Sequence, residues 1–285
     1  MQVVDAHVHI FPEEIVRHRH RFTARDRWFE ELYASERARL ATAEDLVESM
    51  DGAGIEISIA CGFPWRDEGL CRFHNDYLRA SAQSHPDRIA WLAIVSPRAA
   101  EAAYDAGAAL SAGASGLGEL NADAQGFDLQ NPAELTDIVS VCVERDRPIM
   151  LHVSEPVGHS YPGKGESTPA RLLSMLEAFP ALRIVAAHWG GGLPFYELMP
   201  EVKAATANLA YDSAASTYLY DHSVFETVID LVGVNRVLFA TDFPVLKQAP
   251  LLNKVRARPG ISASALSAVL GGNAKRIYGL EEAIA

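Results

Sequence analysis

Eight short apolar runs constrain this chain more than any other feature. They cover residues 3–11, 55–61, 89–95, 114–120, 148–153, 182–187, 207–212 and 237–241. Each is too short for a typical helix, and several are nearly continuous in Val, Ile, Ala and Leu. That is the composition of strands buried on both faces of a parallel sheet. Segments with helical period lie between them, among them 43–50, 132–145, 169–179 and 224–231, and a last helix is expected over 263–270 and 273–278. Asn131-Pro132 and Thr168-Pro169 read as an N-cap followed by Pro at the first helical position, and Gly233 reads as a C-terminal stop. Strand and helix alternate eight times, at intervals of roughly 25–35 residues typical of βα units. A chain of 285 residues built this way predicts one α/β domain over residues 1–285, a single closed (β/α)8 TIM barrel. A doubly wound open sheet is the structural alternative.

One stretch breaks the rhythm. Residues 12–40 follow the first strand and are rich in Arg, Glu and aromatics, including Arg17-His18-Arg19-His20-Arg21. They read as an insertion after strand 1, either a solvated helical segment or a lid over the mouth of the barrel. Arginine beside each of these two histidines argues against a cation there.

The net charge of −12 argues against a nucleic-acid binder, which needs a basic face, and no apolar stretch approaches the length of a membrane span. Cys61, Cys71 and Cys142 match no disulfide framework, and the first residues show no secretory signal. A cytoplasmic enzyme for a small molecule is the expectation, and a homodimer the expected assembly from base rates.

Polar residues interrupt the strands at one end. His7 and His9 sit two apart in the first run, so both imidazoles face one side. Glu119 ends the fourth run, His152 the fifth, His188 the sixth and Asp242 the eighth. The C-terminal ends of barrel strands carry catalysis. Burying four histidines and two carboxylates there without compensation is costly, and a divalent cation removes the cost. Imidazole and carboxylate suit zinc, manganese, iron or cobalt. Zinc is the expectation, at one or two ions per chain.

At this point the sequence resembles a family. Val4-Asp5-Ala6-His7-Val8-His9, Leu151-His152, Ala187-His188-Trp189-Gly190-Gly191 and Thr241-Asp242-Phe243-Pro244 look like the amidohydrolase superfamily, in its amidohydrolase-related branch. The C-terminal run from Gly272 to Leu280 looks like this branch too, so the resemblance spans residues 1–280. It implies that His7, His9 and Asp242 bind a first metal, and that Asp242 takes a proton from the attacking water. It implies that His152 and His188 bind a second metal if one is present. With a single metal, His152 stays a ligand and His188 is free as an acid/base.

Glu119 stands where many two-metal members place a carboxylated lysine. A carboxylate there can bridge two cations that share an activated hydroxide, or it can orient a ligand histidine instead. The bridging reading predicts a metal-dependent hydrolase of a small amide, lactone or ester, with Asp242 as general base. The alternative is a metal-dependent lyase, a non-oxidative decarboxylase or hydratase of a small carboxylic acid, with His188 as acid/base.

The loop after the fifth strand supplies candidate substrate contacts in Glu155, His159, Tyr161 and Lys164, and Trp189 is a candidate pocket wall. Arg66 and Arg72 are weaker candidates for an anionic group. Gly158 to Lys164 has phosphate-loop spacing, but Gly165 stands where that motif needs Ser or Thr.

Overall fold

The computed structural model describes residues 2–280; residues 1 and 281–285 of the expected domain lie outside the described residues. Eight parallel strands appear in chain order: β1 (Val4–His9), β2 (Ile57–Cys61), β3 (Ile89–Trp91), β4 (Leu117–Leu120), β5 (Ile149–Leu151), β6 (Ile184–Ala186), β7 (Leu209–Asp212) and β8 (Val237–Leu238). Regular pairing gives two sheets, β1-β2-β3 and β4-β5-β6-β7-β8. Two seams join them into a ring. At one, Ala93 pairs with Leu117, and Gly118 N donates to Ala93 O at 2.9 Å. At the other, Val8 pairs with Phe243, and Asp242 N donates to His7 O at 2.9 Å. The result is the closed barrel that the sequence predicts.

The strands are shorter than the apolar runs. The pairing of β5, β6 and β8 ends before His152, His188 and Asp242, which therefore sit on the first residues of the following loops. The backbone there keeps single bonds to the neighbouring strand, from His152 N to Leu120 O and from Asp242 N to His7 O, both at 2.9 Å, and the side chains turn across the mouth.

Packing follows the period of two. Ile59, Leu92, Met150, Val185, Ala210 and Leu238 share one buried cluster with Val4 and Ala6. Their neighbours Ala60, Trp91, Leu151, Ala186, Leu209 and Val237 belong to the larger cluster that includes residues of the surrounding helices. β1 and β4 depart from this order. From Asp5 to Val8 β1 advances three residues while β2 advances two, Ser58 to Ala60. From Leu117 to Leu120 β4 also advances three while β5 advances two. Each is a β-bulge, which re-aims the side chains that follow it. In β1 the extra residue lets Val4 and Ala6 pack in the inner cluster while His7 and His9 still meet inside the mouth.

Helix boundaries follow local chemistry. Thr42 and Asp45 form a capping box for Ala43–Ala53. Asp67 caps the longest helix, Glu68–Ser84. Gly233, at φ 87°, ends Val224–Val232 as expected. The helix expected over 132–145 is instead a short 3-10 turn, Pro132–Glu134, followed by Thr136–Glu144. The last helical segment contains a wide turn, Ala268–Gly272, before Asn273–Tyr278.

The insertion folds into three short helices, Glu13–Arg17, Arg19–Thr23 and Arg27–Tyr33. Phe22, Phe29 and Tyr33 bury into an aromatic cluster with Phe11, Phe63 and Trp65. Phe29 lies 4.9 Å from Trp65 and 5.0 Å from Phe63 between ring centroids. The insertion is thereby anchored across the mouth. The three cysteines are buried and free of disulfides. Among the described residues, no helix is long and apolar enough to cross a membrane.

Candidate metal centre

His7 and His9 bring their Nε2 atoms to 3.0 Å from each other. Each ring is held from behind. His7 Nδ1 lies 2.9 Å from Asp212 Oδ2, and His9 Nδ1 lies 3.1 Å from the carbonyl of Gly62. Both partners are acceptors, so both rings carry their proton on Nδ1 and aim a lone pair from Nε2 at the same point. Two carboxylate oxygens join them. Asp242 Oδ1 is 3.4 Å from His9 Nε2 and 4.0 Å from His7 Nε2. Glu119 Oε2 is 3.6 Å and 3.7 Å from the same two nitrogens.

Four acceptors facing one another are stable only around a cation or added protons. Ligand atoms about 2.1 Å from one ion stand roughly 3.0–3.5 Å apart, and this cluster has nearly those edges. The donor set therefore fits a divalent cation with mixed nitrogen and oxygen preference.

The other oxygen of Glu119 serves a second group. Its Oε1 is 3.0 Å from His152 Nδ1 and 3.2 Å from His188 Nε2. His152 Nε2 in turn faces Ser154 Oγ at 3.2 Å. His7, His9 and Asp242 form one group able to hold a metal ion, and Glu119, His152 and His188 another. The two oxygens of Glu119 span the two groups.

Local backbone explains these positions. His188 to Gly192 all have positive φ, a left-handed turn immediately after β6. A Cβ on Gly191 would come within 2.4 Å of Ser154 O, so the close approach of this turn to the β5 loop needs glycine. Asp242 also has positive φ, at 62°. Non-glycine residues rarely adopt this region, Asp and His more readily than most, and such residues cluster at functional sites.

The electrostatics follow from burial and proximity. Burial opposes charge on His7, but Asp212, Glu119 and Asp242 outweigh it and raise its pKa to about 9 in the metal-free protein. Burial likewise opposes charge on His188, and hydrogen bonding and attraction to Glu119, then Asp242 and Asp212, raise it to about 10. Burial raises the Glu119 carboxyl, yet His7, His152 and His188 pull it well below the ordinary value. The cluster attracts positive charge in either form, as protons or as an ion.

Two anchoring carboxylates were not singled out in the sequence. Asp212 holds His7 and also accepts from the backbone N–H of His188, at 3.0 Å, and of Ala214, at 3.0 Å. It ends the seventh apolar run, so the strand-end rule that found the other six residues points to it as well. Asp5 accepts from Thr241 N at 2.9 Å, Thr241 Oγ1 at 2.6 Å and Gln248 Nε2 at 2.8 Å. It ties β1 to the segment that carries Asp242, and burial pushes its carboxyl up to about 6 against those bonds.

A cavity of about 310 Å³ opens above the cluster. Its lining includes His9, Glu119, His152, His188 and Asp242, with His159 and Tyr161 from the β5 loop and Trp28, Leu32 and Tyr33 from the insertion. Three expected substrate contacts do not line it. Trp189 is fully buried, donates from Nε1 to Ser216 Oγ at 2.7 Å and packs edge-on against Phe225. The left-handed turn swings it into the core rather than the pocket. Glu155 accepts from the Tyr161 hydroxyl at 2.7 Å behind the wall. Lys164 donates to the carbonyls of Val157 and His159 at 2.7 and 3.0 Å. Arg72 pairs with Asp105 at 2.9 Å, and neither it nor Arg66 reaches the cavity.

A family model described as amidohydrolase matches residues 4–280. A search of curated proteins finds no match to the chain. Solved structures similar in fold include 5-carboxyvanillate decarboxylase from Sphingomonas paucimobilis, at 18% identity and a TM-score of 0.82, with 98% of this chain and 99% of that one covered. A dihydroxybenzoic acid decarboxylase from Polaromonas sp. JS666, with bound manganese and the inhibitor 2-nitroresorcinol, aligns at 20% identity and a TM-score of 0.80 over 99% of both chains. 2,6-Dihydroxybenzoate decarboxylase from Rhizobium aligns at 19% identity and a TM-score of 0.77, with 99% of this chain and 100% of that one covered. With that family model matching nearly its whole length, and a closed barrel carrying two groups able to hold metal ions at its mouth, the chain belongs to the amidohydrolase family.

Proposed function

We propose that this protein is a metal-dependent, non-oxidative decarboxylase of a small aromatic carboxylic acid. The carrying observation is a polar metal-binding floor beneath a cavity walled by Trp28, Leu32, Phe63, Tyr218, Leu219 and Val245. Such walls fit a ring better than an extended polar substrate. The similar structures described as decarboxylases of hydroxylated aromatic acids support this reading. Manganese, bound in three of the similar structures, replaces zinc as the favoured ion.

His7, His9 and Asp242 would hold the ion, with Glu119 Oε2 beside them. When bound there, the ion would supply Lewis acidity towards the carboxylate of the acid. His188 holds a proton on Nε2, where Glu119 Oε1 orients it and the carbonyl of Ala214, 3.3 Å from Nδ1, fixes the ring. That proton passes to the ring carbon bearing the carboxylate. The bond from this carbon to the carboxylate then breaks, its electrons return to the ring, and CO2 leaves. The apolar walls keep water from competing for the site.

The test uses manganese-loaded protein with hydroxybenzoates labelled with 13C in the carboxyl group, and mass spectrometry of released CO2. Labelled CO2 that is lost in His188→Asn supports the proposal. Acid release from aryl esters, lactones or amides, with no CO2 from any aromatic acid, sinks it. The hydrolase reading keeps one specific support, because Glu119 spans two groups able to hold ions. Two ions per chain would favour it.

A further inference from the structure

The cavity is polar at its floor and apolar along its walls, and its charges are one-sided. The carboxylates of Glu119 and Asp242 line it. Among the described residues, no lysine or arginine does. The residues outside the description, Met1 and the run Glu-Glu-Ala-Ile-Ala at 281–285, add no cationic side chain. Lys164 belongs to the loop over the mouth, but its ammonium is taken up by the two backbone carbonyls of Val157 and His159. His159 supplies an imidazole at the exposed rim, with its ring 5.6 Å from that of Tyr161. The cavity thus holds one place for an anion, at the ligand cluster.

We infer that the substrate is a flat aromatic monocarboxylic acid whose end away from the cluster carries no charge. The inference rests on the decarboxylase reading and narrows it. A carboxylate at the cluster meets a bound cation and the histidines. A second carboxylate on the same ring is carried towards Trp28, Leu32 and Val245, where no countercharge stands and where Glu119 and Asp242 repel it. Removing a carboxylate from water without a partner is strongly unfavourable. A neutral hydroxyl, methoxy or ester group at that position loses far less. The chain is therefore built against dicarboxylates, of which 5-carboxyvanillate is an example.

The experiment is equilibrium binding to the manganese-loaded protein of three ligands: 2-hydroxybenzoate, 4-hydroxyisophthalate and its 1-methyl ester. The second ligand is the first with one carboxylate added para to the hydroxyl, and the third removes that added charge while keeping its bulk. The expected result is roughly 100-fold weaker binding of the dicarboxylate than of its ester. A Val245→Lys variant is expected to recover at least about tenfold of that loss. Dicarboxylate binding within threefold of the ester overturns the inference. So does binding of none of the three. CO2 release is followed in the same samples. Charge-selective binding with no CO2 from any aromatic acid leaves the selectivity standing and removes the decarboxylase reading.

Discussion

Asp212 Oδ2 lies 2.9 Å from His7 Nδ1, while Oδ1 of the same carboxylate accepts from the backbone N–H of His188. One side chain from β7 thus sets the tautomer of a ligand histidine and the position of the proposed proton donor. Carboxylates behind ligand histidines typically change metal affinity 10- to 100-fold when removed.

Asp212→Asn is expected to weaken manganese binding by about tenfold or more. An asparagine cannot accept on both sides. If its amide NH2 faces His7, the His7 proton moves to Nε2 and ligation is lost; if it faces His188, that backbone N–H loses its acceptor. Titration calorimetry with manganese reads the effect without turnover. Unchanged affinity would show that Asp212 does not fix the tautomer.

His188→Asn is expected to keep the metal and lose turnover by about 10²- to 10⁴-fold, the usual worth of a positioned acid or base. Glu119→Gln is expected to lower metal content, because Oε2 faces the His7 and His9 nitrogens. Metal analysis of the two variants separates the roles. Equal metal loss in both would place His188 among the ligands instead.

Gly118→Ala is expected to destabilise the protein by at least about 2 kcal/mol. The added Cβ would stand 2.7 Å from Met150 O at a residue with φ 132°. Its neighbour Glu119 is the side chain that joins the two ligand groups. Urea unfolding reads the stability, and loss of metal binding in the folded variant reads the displacement of Glu119.

His74 predicts a pH dependence of stability. Its Nε2 donates to Ile10 O at 2.7 Å, and its Nδ1 accepts from Phe63 N and Trp65 Nε1 at 3.2 and 3.0 Å. Burial pushes its pKa down to about 4. Above pH 6.5 the ring is neutral in both states and adds no slope. As pH falls from 6.5 to 4 only the unfolded chain takes the proton, so stability is lost, by roughly 3 kcal/mol in all; below 4 the contribution levels off. Urea unfolding of metal-free protein at pH 7 and pH 4.5 should show a steeper loss than in His74→Gln, whose amide can donate to Ile10 O and accept from Phe63 N and Trp65 Nε1 without titrating. Equal losses would remove His74 as the cause.

The six polar strand-end residues that meet at the mouth were legible because they are polar where apolar runs stop, and burial without a partner is costly. Barrel closure was legible because eight units of this length leave few other topologies. The positions of Trp189, Glu155 and Lys164 were not. Their orientations depend on a left-handed turn and on hydrogen bonds to Ser216, Tyr161 and two carbonyls, none of which has a local signature. The insertion was visible as a break in rhythm, but its anchoring needed Phe63 and Trp65, which arrive from the loop after β2, one βα unit further along the chain. Asp212 ends its run in the same way, but its bonds to His7 and to the backbone of His188 join residues far apart in the chain and leave no local signature.

The bulge in β1 separates two inheritances of one strand. Loss of the Ala6 codon would restore simple alternation and an unbroken ladder to β2. His7 and His9 would still face the mouth, because their register to β2 is set beyond the bulge, at Val8 and Cys61. What such a deletion would take away is the Ala6 methyl beneath the histidines, so the extra residue serves the floor on which the pair stands rather than the direction in which it points.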